Sequence, residues 1–217
     1  MKKLCLILVA AAAALFSSAL LADNYPSKPV TLVAVFGPGS ASDTICRVIA
    51  QPLSVALKES VIVENRPGAN GALAALYVAR SAPDGHTLLM ATNSPLSTAP
   101  FLMKNVSYDP VKDFAPVTRL QRSPLFPELP TLDEAGVTDF DMDSWAGIVA
   151  PAHTPPAIVT QLNRELRKII DDPDVKSKLG NVGFEAFSST SKEFEDFVKV
   201  QLGKWSKMVK DAGIQPE

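Results

Sequence analysis

Cysteine and histidine are almost missing from this chain of 217 residues, which has two of each. Cys5 falls in an apolar amino-terminal run, leaving Cys46 alone beyond it, so no intramolecular disulfide can form in the remainder. Cys46 lies on the apolar side of a helical pattern and reads as a buried, inert thiol. His86 and His153 have no cysteine or second histidine at ligand spacing, so no metal centre is expected. GxSxG, GxGxxG and GxxxxGK[ST] are all absent, which removes the usual signatures of hydrolases, dinucleotide binders and phosphate loops. A Ser-His-Asp site assembled in space stays open, but nothing in the spacing points to one. Charge of one sign is also lacking: 21 basic residues face 23 acidic ones. That near-balance argues against nucleic acid as a partner.

Long apolar runs are scarce too, apart from the first. Lys2 and Lys3 precede an apolar stretch from Leu4 to Ala14, followed by small residues. This is the layout of an export signal, with cleavage expected after Ala22, where the polar sequence DNYPSKP begins. Cys5 lies too early for a lipoprotein cleavage box. An uncleaved anchor remains the alternative, the run being borderline for a bilayer. Residues 1–22 are therefore read as a signal peptide and 23–217 as the mature part, of periplasmic type.

Pattern takes over from there. KPVTLVAVF reads as a buried strand, Val30–Phe36. Apolar Ile45, Val48, Ile49, Leu53 and Leu57 repeat at helical spacing, with Pro52 expected to kink or break that helix. ESVIVEN reads as a second strand, NRPGANG as a turn opening the helix ALAALYVARSA, and TLLMAT as a third strand after the turn PDGH. The β-α-β-α-β alternation implies a parallel sheet flanked by helices. Beyond Ser97 the order loosens: FLMKNVSYDPVKDFAPVTRL gives only short apolar runs, and Arg122–Asp143 reads as proline-rich loop with one helical turn. Trp145–Pro151 is expected as a strand. Helices are expected over Pro155–Asp171, Asp174–Leu179 and Ser191–Asp211, the last with a capping signature in Ser191-Lys-Glu-Phe. Asp171, Asp172 and Asp174 read as a solvated turn with a cap. Trp145 reads as a packing residue that borders a cleft at most.

Two loops leave the carboxyl ends of strands, where ligands bind in open α/β sheets. The first, VFGPGSASDT, opens a helix through a bend of small residues. Gly37, Gly39, Ser40, Ala41, Ser42 and Asp43 let an anion approach free N–H groups at the positive end of the helix. The second brings Thr92, Asn93 and Ser94, neutral hydrogen-bond partners. Together they suit a small carboxylate. The plain alternative is an ordinary strand-to-helix turn with Asp43 as its cap.

The blocks YPSKPVTLVAVFGPGSASDTICRVIAQPLS, VIVENRPGANGALAA, SAPDGHTLLMATNS and YDPVKDFAPVT resemble the Bug-type solute receptors of tripartite tricarboxylate transporters. So do RSPLFPELPTLDEAGV, SWAGIVAPAHTPPAIVTQLNRELRKIIDDPDVKSKL and KWSKMVKDAGIQPE. The resemblance covers nearly the whole chain beyond the signal. It implies a periplasmic, non-enzymatic binding protein with no cofactor, a small carboxylate as ligand and membrane permease subunits as partners. Its fold is two α/β lobes of the type II periplasmic-binding-protein kind, closing on the ligand. Where the family commonly has a PPGGGTD-like loop, Ser40 and Ala41 stand at glycine positions. A larger departure follows: Thr118-Arg-Leu runs straight into Gln121-Arg-Ser-Pro, where the family places its second lobe. The expectation is one mixed α/β lobe, 23–217, built from both chain halves (23–120 and 121–217). The second lobe is missing at the 120/121 junction, and solute binding is correspondingly weak. The rival expectation is a degenerate protein that self-associates through the bared inter-lobe face.

Overall fold

The computed structural model describes residues 25–122 and 144–217. Strand β1 (Val30–Ala34) leads through the small-residue loop into α1 (Ala41–Leu57). Then come β2 (Val61–Asn65), a 3-10 turn (Ala69–Gly71), α2 (Ala72–Ala79) and β3 (Thr87–Thr92). A π-helical turn (Ser94–Thr98) and the short α3 (Ala99–Leu102) precede β4 (Phe114–Arg122). The remainder is β5 (Ala146–Pro151), α4 (Pro156–Asp171), α5 (Pro173–Gly180), the two-residue β6 (Glu185–Ala186) and α6 (Ser191–Asp211). The expected loop over Arg122–Asp143 lies, but for Arg122, outside the described residues.

The six strands form one mixed sheet in the order β2-β1-β3-β5-β4-β6. β1 pairs in parallel with β2 and β3, while β3–β5, β5–β4 and β4–β6 are antiparallel. Alternation of side chains along each strand feeds two cores. Leu32, Leu88, Met90, Ile148 and Leu120 meet Ile45, Ile49 and Leu53 of α1 and Leu162 and Leu166 of α4. On the other face Val33, Leu89 and Val149 meet Ala74 and Ala75 of α2 and Phe194 and Val198 of α6. Both cores thus draw on both halves of the chain.

Three local expectations are corrected. α1 is not broken at Pro52 but runs on to Leu57. Ile49, Ala50, Leu53 and Leu57 on either side of the proline are buried against the sheet, and that packing outweighs one missing backbone hydrogen bond. The cap of α6 is Thr190, one residue before Ser191: Thr190 Oγ1 accepts from the Glu193 amide, and the Glu193 carboxylate accepts from the Thr190 amide at 2.8 Å. β4, unassigned in the sequence, is a nine-residue strand inside the sheet.

β4 is irregular, with register shifts at Pro116/Thr118 and Arg119/Gln121. Proline inside a sheet is confined to such bulges, because it cannot donate to the ladder. Side chains from the carboxyl half take over the backbone groups left over. Asn163 Nδ2 donates to Val117 O at 2.6 Å, Ser191 Oγ donates to the same oxygen at 2.9 Å, and the Arg119 amide donates to Ser189 Oγ at 3.1 Å. The Asp171–Asp174 turn is a cap as expected, with Asp172 accepting from the Asp174 and Val175 amides. Cys46 and Trp145 are buried packing residues, Trp145 making edge contacts with Phe194 and Phe197. Among the described residues no helix is long and apolar enough to cross a membrane, and no cluster of ligand-type side chains could hold a metal ion.

Candidate functional site

The carboxyl ends of β1, β2 and β3 lie side by side, so the loops that follow them share one edge of the sheet. The start of β5 reaches the same edge, since Ala146 pairs with Thr92. The two loops expected to bind are therefore neighbours. A third, Arg66–Gly71 after β2, joins them. A Cβ placed on Gly71 would stand 3.1 Å from Val35 Cβ and 3.3 Å from Pro95 Cδ, so this loop is wedged between the other two. Reading the sequence for strand ends overlooked it, although VIVEN running into RPGANG carries the same signal as TLVAVF running into GPGSAS. Ala69 and Asn70 hold left-handed backbone at φ 47° and 53°, which non-glycine residues seldom adopt.

The first loop builds its own frame. Ser40 is the cap of α1 and accepts from the Asp43 amide at 3.3 Å, while its carbonyl receives the Thr44 amide at 2.9 Å. The Asp43 carboxylate accepts from the Gly39 amide (2.9 Å), from Asn65 Nδ2 (2.9 Å) and from Arg47 Nε (3.0 Å). Asn65 Nδ2 also donates to Phe36 O at 2.9 Å, which ties the end of β2 to the loop. Asp43 is 3 % exposed. The Arg47 guanidinium, with the Gly39 and Asn65 donors, holds its carboxyl down at about 2. Its oxygens are thus engaged within the loop and stay ionised at any ordinary pH. The Ser42 hydroxyl is likewise turned to Ser40 Oγ at 3.1 Å, in a residue 2 % exposed.

What faces outward is backbone. Gly39 takes φ +80°, where a side chain would be strained, and Pro38, Gly39 and Ala41 are exposed. The amides of Ala41 and Ser42 have no hydrogen-bond partner among the described residues, and Ala41 stands at the surface. Thr92 Oγ1 is buried without a partner, next to the strand that carries the loop. Thr92 follows Met90 by two residues and so shares the α1 face of the sheet. Asn93 precedes the π-helical turn, and Ser94 accepts from Thr98 Oγ1 through its carbonyl at 2.8 Å. Trp145 Nε1, just before β5, is also buried and unpartnered.

The three loops, residues 36–42, 66–72 and 92–98, contain no acidic side chain and one basic one, Arg66. Arg66 stacks on Tyr77 and pairs with Glu64 at 2.7 Å. The nearby acids are both paired, Asp43 with Arg47 and Glu64 with Arg66. A helix start with unpaired amides in such a setting favours an anion. A separate groove of about 850 Å³ runs between α1, α4 and α5 past Arg47, Val48, Pro52, Glu165, Ile169 and Lys178. It holds none of the residues expected to bind.

Comparison with known proteins agrees with the fold. The family described as "Tripartite tricarboxylate transporter family receptor" matches in two segments, residues 45–125 and 117–214. A UPF0065 protein of Bordetella bronchiseptica is 46 % identical over 104 residues, covering 48 % of this chain and 31 % of that protein. The chain thus matches about a third of that relative's length. Protein BugT of Bordetella pertussis is 21 % identical over 300 residues, covering 89 % of this chain and 92 % of BugT. That alignment is longer than the chain itself, so part of BugT has no counterpart here. Among solved structures, the periplasmic binding protein BugD superposes with a TM-score of 0.82 at 22 % identity, covering 89 % of this chain and 100 % of BugD. An R. palustris protein with adipate gives a TM-score of 0.82 at 23 % identity, covering 89 % of this chain and 100 % of that one. MatC of Rhodopseudomonas palustris, with bound malate, gives 0.80 at 22 %, covering 85 % and 100 %. The matching family is one of receptors, not of enzymes. The chain belongs to the tripartite tricarboxylate transporter receptor family.

Proposed function

We propose that this chain is an exported, periplasmic receptor lobe for small carboxylates, made to serve a membrane permease and lacking the second lobe that would close over its ligand. The observation that carries the reading is the pair of unpaired amides, Ala41 and Ser42, at a helix start whose neighbouring loops offer no free acidic group. Gly37 and Gly39 keep the approach open; Ser40 and Asp43 hold the turn in shape; Thr92, Asn93 and Ser94 supply neutral partners. The adipate and malate held by structural neighbours are carboxylates of the expected size. The family match divides into two segments that meet at residues 117–125, around the 120/121 junction, which supports the absence of an insert there.

One wall binds weakly. Small ligands need most of their surface buried, and a carboxylate held in water competes with water for every donor. Loss of the opposite wall costs about 4 kcal/mol, or roughly a thousandfold in affinity. Calorimetric titration of the purified protein with succinate, citrate, glutamate and nicotinate is expected to give no constant tighter than millimolar. A micromolar constant would defeat the one-lobe reading. A ligand-independent dimer in sedimentation, with no carboxylate bound, would favour a degenerate self-associating protein instead.

A further inference from the structure

We infer that the span Pro26–Lys28 is an acid-loosened strap, with the His86 ring as its catch. It lies across the turn that precedes β3, at the amino edge of the sheet, where the Thr31 amide donates to His86 O at 2.8 Å. At its front end Tyr25 is buried: its hydroxyl donates to Gly85 O at 2.8 Å, and Gln161 Nε2 of α4 donates to Tyr25 O at 3.4 Å. The span itself has two polar ties. The Ser27 amide donates to His86 Nε2 at 3.2 Å, and Lys28 Nζ pairs with Asp84 Oδ2 at 2.9 Å. His86 is 8 % exposed. Accepting at Nε2 requires that nitrogen to be bare, which assigns the neutral ring's proton to Nδ1. Nδ1 is buried without a hydrogen bond, 3.2 Å from Asp84 Oδ1. A second proton must enter at Nε2, where it meets the Ser27 N–H. A donor then faces a donor, and that tie is lost. The cation also draws on Asp84, the carboxylate that Lys28 uses, so the second tie weakens with the first. The groups facing the ring are Asp84 from its own turn and Tyr25 and Lys28 from the amino-terminal segment. α4 brings Ile158 and Gln161 to the cluster, neither of them titratable. Imidazole is the side chain that changes charge between about pH 5 and pH 8, so the strap opens within that range while Tyr25 and β1 hold its two ends.

Amide hydrogen exchange of the purified protein, read by NMR and corrected for the intrinsic effect of pH on exchange, tests this. Protection of the Ser27 amide is expected to fall about fivefold from about pH 7.5 to about pH 5, the loss of one ordinary hydrogen bond. The β1 and β3 amides are expected to keep theirs, which separates strap opening from acid unfolding. The His86 ring nitrogens, followed in the same samples, are expected to titrate with the same midpoint as the Ser27 loss. His86→Gln places an acceptor near the Nε2 position that cannot gain a proton, and its Ser27 protection is expected to stay flat over the range. Unchanged Ser27 protection in wild type, whether or not the ring has charged, overturns the inference. So does a midpoint that differs from the ring's, a fall shared by β1 and β3, or an equal fall in His86→Gln. The midpoint comparison is made in wild type, so it decides the matter even where the variant folds poorly.

Discussion

Asp43 is the residue whose role the structure redefines most, and its replacement tests the site's architecture directly. As a ligand contact, its loss would change solute binding and leave stability alone. As an internal strut, its loss should unravel the first turn of α1. The carboxylate takes hydrogen bonds from the Gly39 amide, Asn65 Nδ2 and Arg47. A hydrogen bond to a charged acceptor contributes about 1.5–3 kcal/mol, and loss of capping about 1 kcal/mol. Arg47 is 57 % exposed and returns to water readily, so its share is left out of the sum. Asp43→Ala should therefore cost about 3 kcal/mol at neutral pH, or roughly 6–12 °C in Tm for a domain of this size. Asp43→Asn keeps one acceptor but turns an amide donor toward other donors, for about 2 kcal/mol. The carboxyl ionises more readily folded than unfolded, at about 2 against an ordinary 3.8. Its charge-dependent contribution is thus complete above about pH 4 and disappears as the pH falls through about 2. Urea denaturation of wild type and both variants from neutral pH to pH 2 reads all of this. The strut argument fails if Asp43→Ala lies within 0.5 kcal/mol of wild type, or if the gap to wild type stays constant down to pH 2.

Two further outcomes follow from packing. Gly147→Ala puts a Cβ 2.4 Å from Phe194 Cζ and 2.9 Å from the Thr118 carbonyl oxygen. The ring can move but the backbone cannot, so thermal melting should show a loss of about 2–3 kcal/mol, and an unchanged Tm would contradict the close approach. Cys46 is fully buried, and burial pushes its thiol well above the ordinary range, so a disulfide reagent added to the chain from residue 23 onward should react only as fast as the protein opens. Rapid stoichiometric labelling would place that face of α1 at the surface.

Much of the fold was legible because its information is local. Alternating and helical periods locate β1, α1, β2, α2 and β3 in sequence order, and short loops between them force parallel pairing. β4 was not legible because its support is distant. Pro116 weakens its pattern, and the groups that make the strand tenable, Asn163, Ser189 and Ser191, lie some 45–75 positions further on. Pro52 misled for a related reason: a proline's local cost is visible in sequence, whereas the burial that offsets it is not. The first site loop stood out because small residues between an apolar run and an amphipathic helix have few other uses. Which of them turn outward was hidden. Asp43 and Ser42 turn inward through hydrogen bonds to Asn65 and Ser40, and no period in the sequence records a side chain's direction inside a loop. The Arg66–Gly71 loop was within reach, since it too leaves a strand's carboxyl end.

The way β4 is held bears on why a lobe without its insert would stay folded. Leu120 and Gln121 are consecutive residues of one strand, and Gln121 pairs with Ala146 on one side and Ala186 on the other. Both partners come from the carboxyl half, as do the side chains that cap the irregular register. α4 and α6 close the two faces of the sheet over strands from the amino half. Such a lobe gains its stability from contacts that cross between chain halves, and those contacts do not pass through an inserted domain. Two segments that an insert would separate in sequence already meet in the sheet, so joining them directly demands little loop closure. Binding is different in kind. It depends on what lies opposite the carboxyl edge, and under the proposed one-lobe reading the edge would offer donors with no wall to face them. A receptor shortened in this way would keep its core and lose its grip on the ligand.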